Sequence, residues 1–299
     1  MHLTRTEKVG MLYALLGVFL FSLSLPMTKW ALESFSPYLT ATSRPILASL
    51  LAIPLMRAAK VPALPKIHFK AMVFTTIGAA FAWPILIALA LARTTSAHVA
   101  VIAAIMPLTT AIMAVIRTKE NVTAQFWLAS ATGTILLILF AISRGGAENG
   151  DFIADLLTIC AVIASSYCYV EGAELTKVMP GWQVISWVVI FALPICIPAS
   201  IIIWLNTYDG SPLTFHALFG IVMIGFSSMY IGFFAWYRGL KDAGTAHGSQ
   251  VQQLQAIMTL GWAALLLNEK VTLTMALIAL GVIASVLWAL TSRRKPKTN

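Results

Sequence analysis

Charge is what this sequence has least of: Asp, Glu, Lys and Arg make up 10% of its 299 residues, against 59% hydrophobic residues and a mean hydropathy of +0.86. A water-soluble domain of that composition would expose large apolar patches, so a soluble enzyme or binding module is excluded and an integral membrane protein is indicated. The three cysteines, Cys160, Cys168 and Cys196, fall inside apolar runs with no Cys-x-x-Cys pair and no spaced Cys/His set. Neither a disulfide framework nor a zinc site is expected, and small buried side chains are the simplest reading. The glycine-rich phosphate loop of nucleotide hydrolases is missing, as is any helical metal-binding pattern, so ATP-driven transport by this chain alone, a bound metal and a cofactor are not expected. The middle of every apolar run also lacks Asp and Glu: Asp155 and Glu171 fall near the two ends of theirs. Proton-driven carriers ordinarily use an intramembrane carboxylate or a His relay, so a facilitator or weakly coupled carrier is the expectation.

What is present is long apolar runs. A hydrocarbon core of about 30 Å takes roughly 20 residues of helix, and ten runs of that order emerge. They extend from Gly10 to Leu32, Pro37 to Arg57, Phe69 to Ala92, Ser96 to Ile116, Thr123 to Ser143, Asp151 to Val170, Trp182 to Leu205, Phe215 to Leu240, Ala246 to Leu267 and Val271 to Thr291. The first follows Arg5 and Lys8 as a signal peptide would, but it is longer than a signal core and no small-residue cleavage site follows it, so it is kept as a span. The net charge of +9 is spread between runs rather than gathered in one patch, which argues against nucleic acid. Alternate connections hold fifteen basic residues on one side and three, Arg93, Arg144 and Lys270, on the other. The positive-inside bias then places both termini in the cytoplasm and supports the count of ten.

The connection Arg144 to Gly150, with three glycines, divides the chain into residues 1–146 and 147–299. Sliding the chain by 149 lays Ser96 to Thr123 on Thr245 to Thr272, and seven of twenty-eight positions match, among them His98/His247, Thr110/Thr259, Glu120/Glu269 and Thr123/Thr272. Matches of Ala or Val are cheap in this composition; those of His and Glu are not. Five spans per half make equivalent helices cross in opposite senses, the inverted repeat of alternating-access carriers.

Span 2 carries Ser43-Arg44-Pro45-Ile46-Leu47-Ala48, and spans 4 and 9 end in Arg117-Thr118-Lys119-Glu120-Asn121-Val122-Thr123 and Leu267-Asn268-Glu269-Lys270-Val271-Thr272. With these motifs the chain resembles the drug/metabolite transporter superfamily, EamA-type branch, over nearly its whole length. The resemblance implies an all-α fold of ten transmembrane helices in two inverted five-helix repeats and export of small metabolites, with amino-acid exporters of the YddG kind as a plausible nearest relative. It identifies the superfamily well and the substrate poorly. One departure stands out: Ala256 replaces Pro107 in the second repeat, so the halves need not bend alike.

Polar groups in hydrocarbon must be satisfied internally or face a water-filled cavity, which selects the candidate site residues. Span 9 is richest: His247, Gln250 and Gln253 share one helical face, and Gln252 and Gln255 share nearly the opposite one. One face should line a cavity and the other bond a neighbouring helix; Gln250 and Gln253 are taken as the substrate candidates, with the reverse assignment open. His98 is the symmetry mate of His247, and Pro107 removes the bond to the Ala103 carbonyl, which is then free for a substrate amine or for a neighbour. Span 1 offers Ser22 and Ser24, with Pro26 leaving the Ser22 carbonyl outside the helix ladder; span 6 offers Ser165, Ser166, Tyr167 and Tyr169. Phe81 with Trp83, Trp262, and Tyr230 with Ser227 and Ser228 lie deep enough for an apolar or aromatic box, or for plain packing. Seven other tryptophans, Trp236 among them, fall near run ends and suit an interfacial belt. Arg44, inside span 2, must pair or snorkel; it either holds a carboxylate or a gate, or anchors the helix to the outer surface. Glu120 and Glu269 precede Thr123 and Thr272 and suit helix N-termini.

The sequence thus points to a carrier in the inner membrane exporting small metabolites, neutral or aromatic amino acids foremost, acting as a monomer in the lipid bilayer on a small-molecule substrate. The alternatives are a channel-like facilitator and a membrane-embedded enzyme or sensor; an enzyme lacks any catalytic constellation here.

Overall fold

The computed structural model describes residues 4–94, 99, 102–142, 151–267 and 273–292, and no strand occurs among them. The helices in chain order are α1 (Arg5–Ala31), α2 (Pro37–Ala58), α3 (Lys66–Arg93), α4 (Met106–Thr118), α5 (Ala124–Ala141), α6 (Phe152–Leu175), α7 (Gly181–Thr207), α8 (Phe215–Ala243), α9 (residues 245–267) and α10 (Leu273–Thr291). Of these, α1, α2, α3, α6, α7 and α8 are long and apolar enough to cross a membrane, and Met106–Thr118, Ala124–Leu139 and Leu277–Thr291 are shorter apolar helices. In hydrocarbon a helix satisfies its own backbone, which is why runs this apolar adopt no other form. Leu12, Leu16, Leu50, Ile202, Leu205 and Leu287 project outward, as a lipid-facing surface requires.

Side-chain caps set the helix starts. The hydroxyls of Ser36, Thr123 and Thr214 and the carboxylate of Asp151 accept backbone N–H groups at the entry of α2, α5, α8 and α6. Thr4 and Glu7 form a reciprocal capping box that starts α1 at Arg5, ahead of the apolar run that begins at Gly10. At the far end α6 continues to Leu175, beyond the expected limit at Val170.

The strongest helix pairings join the two halves of the chain: α1 with α8, α3 with α6, α2 with α7, α4 with α9 and α5 with α10. A two-fold relation between halves requires this set, because each contact comes either between equivalents or with its mirrored partner. Directions are legible in individual contacts. The Glu120 carboxylate just past α4 accepts the N–H groups of Thr245 and Ala246 at the start of α9, both at 3.0 Å, and Thr123 at the start of α5 donates to the Ser292 carbonyl beyond α10 at 2.8 Å. Equivalent helices therefore run antiparallel. The start of α1 lies beside the end of α8, since Gly10 packs on Asp242 and Ala243, so the chain enters and leaves the bundle at one end.

The irregular stretches obey the same relation. A π-helical stretch at Ile77–Ala82 in α3 corresponds, 149 residues on, to residues 226–231, inside the π-helical Ile224–Ile231 of α8. A turn at residues 104–105 precedes α4, and α9 carries a 3₁₀ turn, Gln250–Gln253, at the corresponding level. The proline difference between Pro107 and Ala256 therefore does not separate the halves here. A second proline difference, Pro26 against Leu175, does separate them: α1 breaks at Leu23, three residues before Pro26, whereas the equivalent α6 is continuous.

α1 and α8 approach closely through small residues. A Cβ on Gly17 would lie 2.9 Å from the backbone nitrogen of Trp236, and one on Gly239 would strike the Ala14 backbone. Gly17→Val is expected to cost about 1–3 kcal/mol through overpacking, measured as a lower melting temperature in detergent, while Leu12→Val on the outer face should leave it unchanged.

Candidate functional site

At the centre of the bundle, where α1, α2, α3, α6, α8 and α9 meet, lies a cavity of about 30 Å³. A water needs about 10–15 Å³ of such space, so there is room for roughly two and not for a metabolite. The wide solvated hollow expected of a carrier is packed shut. Aromatic rings close it: Phe21 of α1 meets Phe233 of α8 edge-on at 5.1 Å, and Tyr169 of α6 meets Trp236 edge-on at 5.4 Å. Trp236, expected in the interfacial belt, is instead fully buried in this cluster.

The polar wall comes from five helices. Ser24, Arg44, Ser165, Ser228, Gln252 and Gln255 face the cavity, with Trp83 closing one side. Arg44 is 5% exposed, so it does not snorkel to a surface. Its Nη2 donates to Ser228 Oγ at 2.8 Å and, at a long 3.4 Å, to Ser24 Oγ. Its Nε has no partner, and no carboxylate among the described residues pairs with it. Gln252 lines the same wall, its Oε1 also without a partner and its amide nitrogen reaching the Met106 sulfur and the Tyr169 hydroxyl.

The two faces of α9 are used the other way round from the expectation. Gln250 Nε2 donates to the Pro107 carbonyl at 3.3 Å; Gln253 Nε2 donates to Gln250 Oε1 at 2.7 Å and Gln253 Oε1 accepts from Ser285 at 3.2 Å. Both side chains are completely buried between helices, so they tie α9 to α4 and α10 and do not line the cavity. Hydrogen-bond capacity alone cannot distinguish a cavity wall from a helix seam, and the tight fit of Gln253 against Gly133 of α5 decides it. Pro107 contributes its own carbonyl to this seam.

Ser22 also belongs to a seam. Its carbonyl, released by Pro26, accepts from Thr259 at 3.1 Å, its hydroxyl accepts from Trp262 Nε1 at 2.8 Å, and Gln255 reaches the neighbouring Phe21 carbonyl at 3.4 Å. Trp262 is thereby a packing partner of α1 rather than part of a box. Tyr230 points away from the cavity, its hydroxyl 2.8 Å from Ser186 of α7, and Phe81 packs against the core without reaching the cavity. Tyr167, between Ser165 and Tyr169 in the chain, faces another side of α6, edge-on to Phe74 and beside Glu171 and Arg117. Ser24 and Trp83 line the cavity. His98 and Glu269 lie outside the described residues. Phe21, Leu25, Ala79 and Phe233 on the wall had no sequence signal as polar groups; for Phe21, three residues from Ser24, and Ala79, four from Trp83, the shared helix face was the available clue. Of the cysteines, Cys168 and Cys196 are buried and Cys160 is exposed.

Ion pairs lie toward both ends. At the end that carries the start of α1, Arg117 of α4 pairs with Glu171 of α6, Nε to Oε1 2.6 Å, and Glu120 caps α9. The charge of Glu120 does favour a helix N-terminus, but that of α9, not of the helix that follows it. At the other end Arg93 pairs with Asp151 at 3.1 Å, and a second cavity of about 390 Å³ opens between Lys29, Glu33, Pro37 and Leu91.

A polytopic bundle with a cross-paired two-fold, equivalent helix breaks and a polar centre has the construction of a membrane transporter. The chain belongs to the EamA-like transporter family, whose profile matches it twice, over residues 8–147 and 152–291. It is similar to a Bacillus subtilis (strain 168) protein described as the uncharacterized transporter YdeK, with 33% identity over 277 residues, 93% of this chain and 95% of the relative. The fold is also that of a solved structure titled "Crystal structure of protein", with a TM-score of 0.75 at 14% identity, covering 96% of this chain and 99% of the other.

Proposed function

We propose that this transporter is an inner-membrane secondary carrier that exports small metabolites, neutral or aromatic amino acids foremost, by alternating access. On this reading ten helices cross the bilayer in two inverted five-helix repeats, residues 1–146 and 147–299, both termini are cytoplasmic, and one chain suffices as a monomer. The observation that carries the reading is the central cavity, set where helices of both halves meet and flanked by the paired irregular stretches of α3 and α8. Such stretches let a helix bend without losing its backbone bonds, so each half can rock about the centre. The packed centre is then the closed intermediate between two open states.

The solute leaves chemically unchanged, which separates a carrier from a membrane enzyme. Purified protein in liposomes preloaded with unlabelled amino acids should accumulate labelled phenylalanine or leucine transiently by counterflow, saturably and with mutual competition. Linear, non-saturating entry without counterflow would indicate a channel-like facilitator instead.

A further inference from the structure

We infer that the Arg44 guanidinium is the binding group for a substrate carboxylate, and that the cavity takes small carboxylates bearing a hydrogen-bond donor on the adjacent carbon. The inference rests on the carrier reading above and names the substrate chemistry of that same cavity.

Three observations converge. First, Arg44 is 5% exposed and unpaired with any carboxylate among the described residues. A cation in low dielectric without a counter-charge is costly, and the two serine hydroxyls that meet one of its nitrogens are neutral dipoles. Second, its Nε is buried without a partner while the side chain lines the cavity, which leaves part of a planar donor fork of the kind that grips a carboxylate through two oxygens. Third, Gln252 Oε1 on the same wall is an acceptor without a donor, so it calls for an N–H or O–H beside the carboxylate, not for a second acidic group. Phe21, Trp83, Tyr169 and Phe233 supply the remaining wall and suit an apolar body.

The consequence is a selectivity order. Among the described residues no carboxylate lines the cavity, so a ligand's ammonium group meets only a neutral carbonyl oxygen there, whereas its carboxylate meets a full positive charge. Removing the carboxylate should weaken binding far more than removing the amine. A 2-hydroxy acid should bind as an amino acid does, while a bare amine should bind far more weakly.

The test uses the full-length protein in detergent with chloride buffer throughout, and reads ligand-induced thermal stabilisation. The probes are L-phenylalanine, L-phenylalaninamide, phenethylamine, 3-phenylpropionate, 3-phenyllactate and L-leucine. Phenylalanine and phenyllactate should stabilise best, and the amide and the amine should bind about 10- to 150-fold more weakly, the range for a hydrogen bond to a charged group. Arg44→Gln should abolish the difference between acid and amide, and Arg44→Lys should restore part of it. Because that comparison of acid and amide in the unaltered protein needs no variant, a poorly folding Arg44→Gln does not blunt the test. Equal binding of acid and amide, or stabilisation by none of the carboxylates, overturns the inference. Failure of counterflow for every solute would instead remove the carrier reading.

Discussion

Replacing Arg117 with Ala is expected to open the terminus-bearing end of the bundle and speed the entry of reagents to the central cavity by about 5- to 150-fold, the equivalent of 1–3 kcal/mol. The reason is asymmetric burial. Glu171 is 3% exposed and accepts both Nε, at 2.6 Å, and Nη2, at 3.4 Å, from Arg117, whose own side chain is half exposed. Deleting the cation strands a carboxylate in the closed arrangement only; separating α4 from α6 lets that carboxylate reach water. A wholly buried pair would cost more, and solvent around Arg117 reduces the effect to the lower range used here. The measurement is the rate at which a thiol reagent added from that side modifies Ser165→Cys, a cavity position, in a Cys160→Ser background that removes the exposed native thiol. Exchanging the charges, Arg117→Glu with Glu171→Arg, should bring the rate back. An unchanged rate in Arg117→Ala would assign the pair to stability alone.

The sequence made the frame legible and the interior only partly so, for a physical reason that particular residues show. Apolar length is additive along the chain, so the runs from Pro37 and Phe215 reappear as α2 and α8 with starts fixed by Ser36 and Thr214. The repeat was legible because His and Glu are scarce in this composition, and Glu120 indeed joins the two halves. Which polar residues face a cavity is a property of three-dimensional neighbours. Ser22 and Ser24 are two residues apart and equally polar, yet Ser22 is taken by Thr259 and Trp262 while Ser24 faces Arg44. Pro26 announces a freed carbonyl, but only the position of α9 says that a threonine, not a substrate, satisfies it. Arg44 was legible as a buried charge, while its lack of a counter-charge among the described residues could emerge only from the packed bundle.

The same contrast yields opposite outcomes for two adjacent glutamines. Gln253→Leu removes the acceptor of Ser285 and the donor of Gln250 inside a fully packed seam, leaving Gln250 Oε1 without its 2.7 Å bond. An unsatisfied buried group costs about 1–3 kcal/mol, so the melting temperature should fall while the KM for counterflow stays within about twofold, since no cavity atom changes. Gln252→Leu deletes an oxygen that already lacks a partner and an amide nitrogen shared between a thioether sulfur and the Tyr169 hydroxyl. Relief of the desolvated oxygen offsets loss of the Tyr169 contact, so stability should stay within about 1 kcal/mol. Transport should nevertheless suffer, with KM for phenylalanine raised about tenfold, because the ligand's donor then meets hydrocarbon. Hydrogen bonding within the seam and recognition within the cavity are thus separable at neighbouring positions one 3₁₀ step apart. Parallel losses of stability at both, with KM untouched, would place Gln252 in the seam as well and leave the cavity without its neutral acceptor.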